Sequence, residues 1–196
     1  MLLNKVKTYC TQVLEQIQID SLPFHGIHHT KAVVSHVKEI CRHLGIPKKD
    51  MEPIIIAAWF HDVGHASTYY EHEEESIKMA ERFLKMQRMD MESIEIVTSC
   101  IRSTKMPQQP NSLQARILCD ADLYHLGSQD YFYWQILLRR EWEVSIGETY
   151  TDTEWYEMNH RFLAEHCFHS AFGKNVLATQ LKSNLSRLED ILLILK

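Results

Sequence analysis

Apolar residues recur every three to four positions along almost the whole chain, in long runs with few interruptions. Val33, Val37, Ile40 and Leu44 form one stripe, ended by Gly45-Ile46-Pro47. Ile77, Ala80 and Leu84 form a second, and Ile94, Val97 and Ile101 a third that stops before Pro107 and Pro110. Leu113, Ile117 and Ala121 lead up to Gly127; Tyr131, Trp134, Leu138 and Trp142 make a broad aromatic stripe. Trp155, Met158 and Phe162 follow the cap-like Thr151-Asp152-Thr153-Glu154, and Leu177, Leu181, Leu188 and Leu195 finish the chain. Residues at this spacing share one face of an α-helix, so each stripe predicts an amphipathic helix. No alternating strand pattern survives beyond a few residues, and only 6 glycines and 5 prolines break the runs. The pattern predicts an all-α fold, a single-domain helical bundle of about eight or nine helices. Without a repeat or low-complexity tract, and with Gly147–Asp152 as the only internal seam, residues 1–196 read as one domain. Its motif-bearing core spans about 20–145, with C-terminal helices of about 152–196 packed on it.

One segment departs from the amphipathic rule. Ile54-Ile55-Ile56-Ala57-Ala58-Trp59-Phe60 is apolar on every side and predicts a buried helix, yet it closes on His61-Asp62. A buried imidazole and carboxylate are costly unless they are paired or bound to a cation, so this pair requires partners. His29 lies one turn before Val33 and points inward with that stripe, whereas His28 is rotated away by about 100°. A capping or packing role would also account for His29. In Leu118-Cys119-Asp120-Ala121-Asp122-Leu123 two carboxylates sit among apolar residues at positions i and i+2. They face different sides, so at most one of them reaches His61, and a helix-internal hydrogen bond accounts for the other. His29, His61, Asp62 and Asp122 together suit a hard or borderline divalent cation such as Mn, Mg, Fe, Co, Ni or Zn. Adjacent His61 and Asp62 can share one ion near the helix end, where Gly64 is expected to loosen the backbone. Four ligands leave positions open for water and substrate.

The order His29, then His61-Asp62, then Asp122 resembles the H…HD…D signature of the HD superfamily of metal-dependent phosphohydrolases. Phe24-His25 with His29-Thr30 and Val33 is similar to that family's opening helix, Ala57-Ala58-Trp59-Phe60-His61-Asp62 to its core helix, and Asp120-Ala121-Asp122-Leu123 with Leu126-Gly127 to its third motif. In that motif the second aspartate is the ligand, which selects Asp122. The likeness runs from about residue 20 to the C-terminus and is greatest to the bacterial group of predicted HD-superfamily phosphohydrolases. It implies an HD-type bundle and a phosphomonoesterase or phosphodiesterase. Metal-activated water would attack a nucleotide or other small phosphate ester, with Asp62 serving both the metal and the chemistry.

The remaining candidates surround that core. Glu71-His72-Glu73-Glu74-Glu75-Ser76 is the acidic first turn of a helix, favoured by the helix dipole. Glu73 shares a face with Ile77, and the resemblance makes it the general acid/base or the residue that orients water. His65 lies one turn after His61 and could bind a second metal, contact phosphate or protonate a leaving oxygen; His72 could do the same. One metal is expected, with a second ion as the alternative, since no further histidine set follows Thr104-Lys105-Met106-Pro107. Lys105 and Arg140 are surface charges that the resemblance makes substrate contacts. Tyr131, Tyr133, Trp134, Trp142, Trp155 and Tyr156 are helix-packing residues or a stacking surface for a nucleobase.

Three other functions fit parts of the pattern. His61-Asp62-Val63-Gly64-His65 is a zinc-protease motif with Asp in place of Glu. A dinuclear-iron HD-type oxygenase would recruit His65 and His72. A non-catalytic nucleotide-binding domain would keep a structural metal.

Composition narrows the surroundings of this chemistry. A formal net charge of −5 argues against a long nucleic acid as partner and leaves a small phosphorylated substrate, a nucleotide foremost. Five scattered cysteines without a CxxC pair read as reduced thiols of a cytoplasmic protein. No window has the roughly 18 apolar residues of a membrane helix, and Met1-Leu2-Leu3-Asn4-Lys5 opens no secretory signal, so no membrane partner is expected. A homodimer is compatible with the sequence.

Overall fold

The computed structural model describes residues 1–17 and 21–195; the expected start of the motif-bearing core near residue 20 lies outside them. Among the described residues there are helices and turns and no strand. The helices are α1 (Leu2–Glu15), α2 (Ile27–His43), α3 (Lys48–Phe60), α4 (His72–Met86), α5 (Met91–Arg102), α6 (Leu113–Asp122), α7 (Tyr131–Ser145), α8 (Asp152–Glu165) and α9 (Ala178–Ile194). Short 3-10 turns follow α3 (Val63–Ala66) and α6 (Leu123–Gly127), and a π-turn (Gly173–Leu177) leads into α9. The all-α expectation and the number of helices are borne out.

α3 is the axis of the bundle. Every residue from Pro53 to Phe60 is buried, and the helix touches α1, α2, α4, α5 and α6. A helix apolar on all sides has no face to offer water, so the amphipathic helices close around it. α2 turns Val33, Val37 and Ile40 inward, α4 turns Ile77, Ala80 and Leu84, and α5 turns Ile94, Val97 and Ile101. α8 begins at the expected capping box: Thr151 accepts from the Glu154 backbone and Glu154 accepts from the Thr151 backbone. Asp90 and Ser112 cap α5 and α6 with the side chain alone, accepting from the Ser93 and Ala115 backbone N–H groups.

Two features differ from the pattern reading. α1 does not figure among the stripes above, yet Val6, Cys10 and Leu14 repeat every four residues and are buried. Along the last stripe Leu177, Leu181 and Leu188 are buried, whereas Leu195 falls past the end of α9 and is exposed.

Gly64 has a different role from the one expected. A Cβ there would meet the His72 carbonyl oxygen at 1.9 Å and the Ser76 nitrogen at 2.8 Å. Its N–H donates to Ser76 Oγ at 2.9 Å. Gly64 therefore lets the turn after α3 lie flush against the start of α4, and this contact sets the height of His65 against His72. Gly64→Ala is expected to cost about 3 kcal/mol in urea unfolding, the upper range for overpacking, because the atoms it meets are backbone. A cost below about 0.5 kcal/mol would contradict this account.

Candidate metal centre

The backbone changes direction where α3 ends, and that change delivers two neighbouring side chains to one point. His61, with φ −53° and ψ −37°, is still helical, while Asp62, with φ −111° and ψ 3°, has left the helix. His29 comes from the first turn of α2 and Asp122 from the last residue of α6. The four polar ends converge. His61 Nε2 lies 3.0 Å from Asp62 Oδ2 and 3.5 Å from Asp122 Oδ1. His29 Nε2 lies 3.1 Å from Asp122 Oδ1, 3.3 Å from His61 Nε2 and 3.4 Å from Asp62 Oδ2.

These atoms fit a cation better than they fit one another. His61 Nδ1 lies 2.9 Å from the Ala58 carbonyl oxygen and donates to it, so the neutral ring presents a lone pair at Nε2. That lone pair faces a carboxylate oxygen, and Asp62 Oδ2 is buried with no hydrogen-bond partner. Nitrogen and oxygen donors bound at about 2.1 Å to one ion sit about 3.0–3.4 Å apart, which matches the separations here. Without a cation, the two carboxylates draw the positive charge they need from the imidazole instead. Burial pushes the His61 pKa down, but Asp62 and Asp122 outweigh it and hold it well above its ordinary value. Burial pushes Asp62 up, but His61, His72 and His25 outweigh it and hold it well below the carboxylate range. Asp122 is lowered against its burial by His29 and His61. The centre thus concentrates negative charge in a place water hardly reaches.

Asp120 has a separate task. It is fully buried and accepts from the backbone N–H groups of His169 (2.7 Å) and Ser170 (2.8 Å). It ties α6 to the segment leading to α9, and Gly173 packs against its carboxylate. The i, i+2 spacing sends Asp120 and Asp122 to opposite sides of α6, as the sequence requires.

Beside the centre lies a cavity of about 430 Å³ whose wall includes Asp62, Asp122, Glu73, His25, His65 and His72. Glu73 is buried, with Oε1 3.7 Å from His72 Nε2, and that same nitrogen lies 3.5 Å from Asp62 Oδ1. His65 stacks on His72 at 3.8 Å and on His25 at 4.7 Å between ring centroids. Neither of its buried ring nitrogens has a hydrogen-bond partner, and burial with the nearby His25 pushes its pKa down to about 2. Burial therefore favours the neutral ring at His65. His25, Asp62 and His65 also place donor atoms within 4.8 Å of one another, a second group that could hold an ion.

Two sequence candidates stay outside the cavity. Lys105 is half-buried and ion-paired with Glu71, and Arg140 is exposed and donates to Glu143 at 3.1 Å. Each charge has an acidic neighbour that holds it at the surface. Of the aromatic candidates, Trp142 and Trp155 line the cavity, Tyr131 is core and Tyr133 is exposed. Trp134 packs edge-on against Phe24 and His29 and shields the centre from that side. Tyr156 is half-buried and packed against the core.

Sequence reading missed Glu141. Its fully buried carboxylate accepts from the backbone N–H groups of Phe24 (2.8 Å) and His25 (2.9 Å), from His25 Nδ1, and from the Tyr69 hydroxyl at 3.1 Å. It pins the segment before α2 and the loop before α4 to α7, leaving His25 Nε2 as the unclaimed edge of that ring. Burial raises its pKa, but His25 and the two backbone donors lower it further. The signal was present: Glu141 falls on the Trp134–Leu138 face, a carboxylate where the stripe calls for an apolar residue.

The sequence profile of the HD domain matches residues 26–127, more than half of the chain, and the chain belongs to that family. Two solved structures share its fold. One is a predicted HD-superfamily hydrolase from an uncultured Thermotogales bacterium, 20% identical, with a TM-score of 0.64 over 98% of this chain and 92% of that one. The other is a Lactobacillus plantarum protein, 16% identical, with a TM-score of 0.69 over 96% of this chain and 94% of that one. No curated protein matches the sequence. Family and fold both agree with the motif resemblance.

The two aspartates of α6 should separate cleanly in mutants. Asp122→Ala and His29→Ala are expected to lose bound divalent metal, measured by elemental analysis and calorimetry, while His65→Ala keeps one ion per chain. Asp120→Ala should keep the metal but lose about 2–3 kcal/mol of stability, since two buried N–H donors lose their acceptor. The reverse assignment would appear as metal loss with Asp120→Ala alone. Glu141→Ala should cost about 3 kcal/mol, and Glu141→Gln less, in thermal unfolding; equal stability of all three proteins would refute the clamp.

Proposed function

We propose that the protein is a metal-dependent phosphohydrolase acting on a small phosphate ester, with nucleotides among the candidates. The observation that carries this reading is the convergence of His29, His61, Asp62 and Asp122 at the wall of a cavity that also holds Glu73 and His72. Family membership supports it, as does the hydrolase description of the Thermotogales relative. A divalent cation held by the four residues would supply Lewis acidity at a phosphoryl oxygen and lower the pKa of a coordinated water.

The chain's own groups then divide the remaining work. Glu73 faces the cavity and accepts the proton of the attacking water. His25 and His72 are both held above the ordinary imidazole pKa, against their burial, by Glu141 and by Asp62 respectively. Their N–H groups donate to phosphate oxygens, and one of them returns a proton to the departing alcohol. A water oxygen–phosphorus bond forms, the phosphorus–alcohol oxygen bond breaks, and the products are the alcohol and the phosphate. His72 keeps the substrate-contact part expected of it, and His25 joins it, while Lys105 and Arg140 lie outside the cavity wall.

A specific observation favours a second reading, the dinuclear-iron oxygenase. The His25, Asp62 and His65 group adjoins the first centre, and Asp62 belongs to both. Two irons per chain with oxygen uptake would establish it, and one ion per chain would set it aside. A structural metal in a nucleotide-binding domain would show as tight nucleotide binding without turnover. The zinc-protease reading has lost its geometry: α3 ends at Phe60, so His61 and His65 do not lie on one continuous helix.

The deciding experiment sets a panel of phosphate monoesters, diesters and nucleotides against Mn²⁺, Mg²⁺, Fe²⁺, Co²⁺, Ni²⁺ and Zn²⁺, with Asp62→Ala as the blank. Phosphate release by the wild type at least about 1,000-fold above the blank is expected, a loss in the range reported for removal of one charge-stabilising group. Equal rates throughout would sink the hydrolase.

A further inference from the structure

The cavity has two chemically distinct ends. One end carries the metal-ligating and proton-handling groups described above. The other is built by α7 and α8 from Leu138, Trp142, Trp155, Met158 and Phe162. Trp142 and Trp155 meet edge to face, with ring centroids 5.6 Å apart at 87°, and form an aromatic corner. Asn159 is the polar residue at this end, and it is already engaged. Its Oδ1 accepts from the Tyr131 hydroxyl at 3.0 Å and its Nδ2 donates to the Trp155 carbonyl at 2.9 Å.

No lysine or arginine lines the cavity among the described residues. Each nearby cation already has partners: Lys105 pairs with Glu71, Arg140 with Glu143, and Arg139 with Asp152 and the Tyr150 carbonyl while its guanidinium lies 5.9 Å from the centroid of the Trp155 ring. Beyond the phosphoryl group at the metal centre, further anionic charge would have to lie against indole and aliphatic carbon without a counter-charge, which is costly. The same wall rewards an uncharged apolar group by removing it from water.

We infer that the site takes monophosphate esters of apolar alcohols, with an aromatic or bulky aliphatic group seated between α7 and α8. Polyphosphates and polyhydroxylated alcohols are poor occupants. This rests on the phosphohydrolase reading for its chemistry but not for its binding, because the apolar end is a feature of shape and composition. Phe162 stands at the mouth, 36% exposed, and Leu138 is half-buried in the wall.

The test compares 2-naphthylmethyl phosphate with glycerol 3-phosphate and a nucleoside 5′-triphosphate. The first two alcohols are similar in acidity, so leaving-group chemistry does not decide the result. In the metal-supplemented protein, kcat/KM for the naphthylmethyl ester should exceed that for glycerol 3-phosphate by about 100-fold, on the scale of an apolar group filling a hydrophobic pocket. Binding is read separately, through quenching of tryptophan fluorescence by the non-hydrolysable 2-naphthylmethyl phosphonate against methyl phosphonate. Leu138→Lys should cut the naphthylmethyl preference about 10-fold and improve triphosphate binding. Phe162→Ala, at the more exposed position, should weaken naphthylmethyl binding with little change for methyl phosphonate. Preferential phosphonate binding without hydrolysis of any ester would retain this inference and overturn the hydrolase. Hydrolysis in which glycerol 3-phosphate or the triphosphate wins would overturn this inference and retain the hydrolase. Equal binding of both phosphonates would overturn the apolar subsite.

Discussion

The cost of burying Asp62 at the end of α3 governs the architecture around it. A carboxylate oxygen with no hydrogen-bond donor, facing the lone pair of a tautomer-fixed imidazole, is an unfavourable arrangement unless positive charge enters. The chain answers by bringing His29 and Asp122 from two further helices to the same point, so that four donors share one position. α2, α3 and α6 are thereby tied at their functional ends, while the apolar length of α3 ties them along their bodies. Packing and site share the same three helices, which makes the donor separations as rigid as the core.

Around this centre, buried carboxylates act as fasteners. Asp120 holds the approach to α9 through two backbone N–H groups, and Glu141 holds the segments before α2 and α4 through four donors. Both are fully buried, and in both each carboxylate oxygen has a donor. The contrast with Asp62 is informative: a carboxylate given its full set of donors is structural, and one denied them is poised for a cation. Burial alone would not have distinguished the three.

The cavity inherits its asymmetry from the order of the helices. The segments from Phe24 to His125 supply its ligands and histidines, while α7 and α8 supply an apolar wall without lysine or arginine. The stack of His25, His65 and His72 lies beside the Asp62 carboxylate. Glu141 connects the two halves, since it stands on α7 and orients His25. Phosphate recognition therefore falls to histidines and the metal centre, and recognition of the rest of a ligand falls to carbon surfaces.

Much of this was readable in the sequence because its determinants are local. Period-3.6 stripes predicted the helices, the uniformly apolar run before His61 predicted the central one, and Thr151-Asp152-Thr153-Glu154 predicted a cap that forms as written. The four convergent donors were also readable, since each occupies an inward position or a helix end. Helical period likewise sent Asp120 and Asp122 to different faces. What only the tertiary structure decided depends on approach between distant segments. Glu141 acquires meaning from Phe24, His25 and Tyr69, which lie on other parts of the chain. Gly64 is required by the His72 carbonyl, which no local rule foresees. Lys105 and Arg140 lie outside the cavity wall because each pairs with a neighbouring carboxylate, and Trp142 and Trp155 line the cavity because α7 and α8 fold back over the site. Periodicity specifies which side of a helix is buried; the identity of what it is buried against arises only when the helices meet.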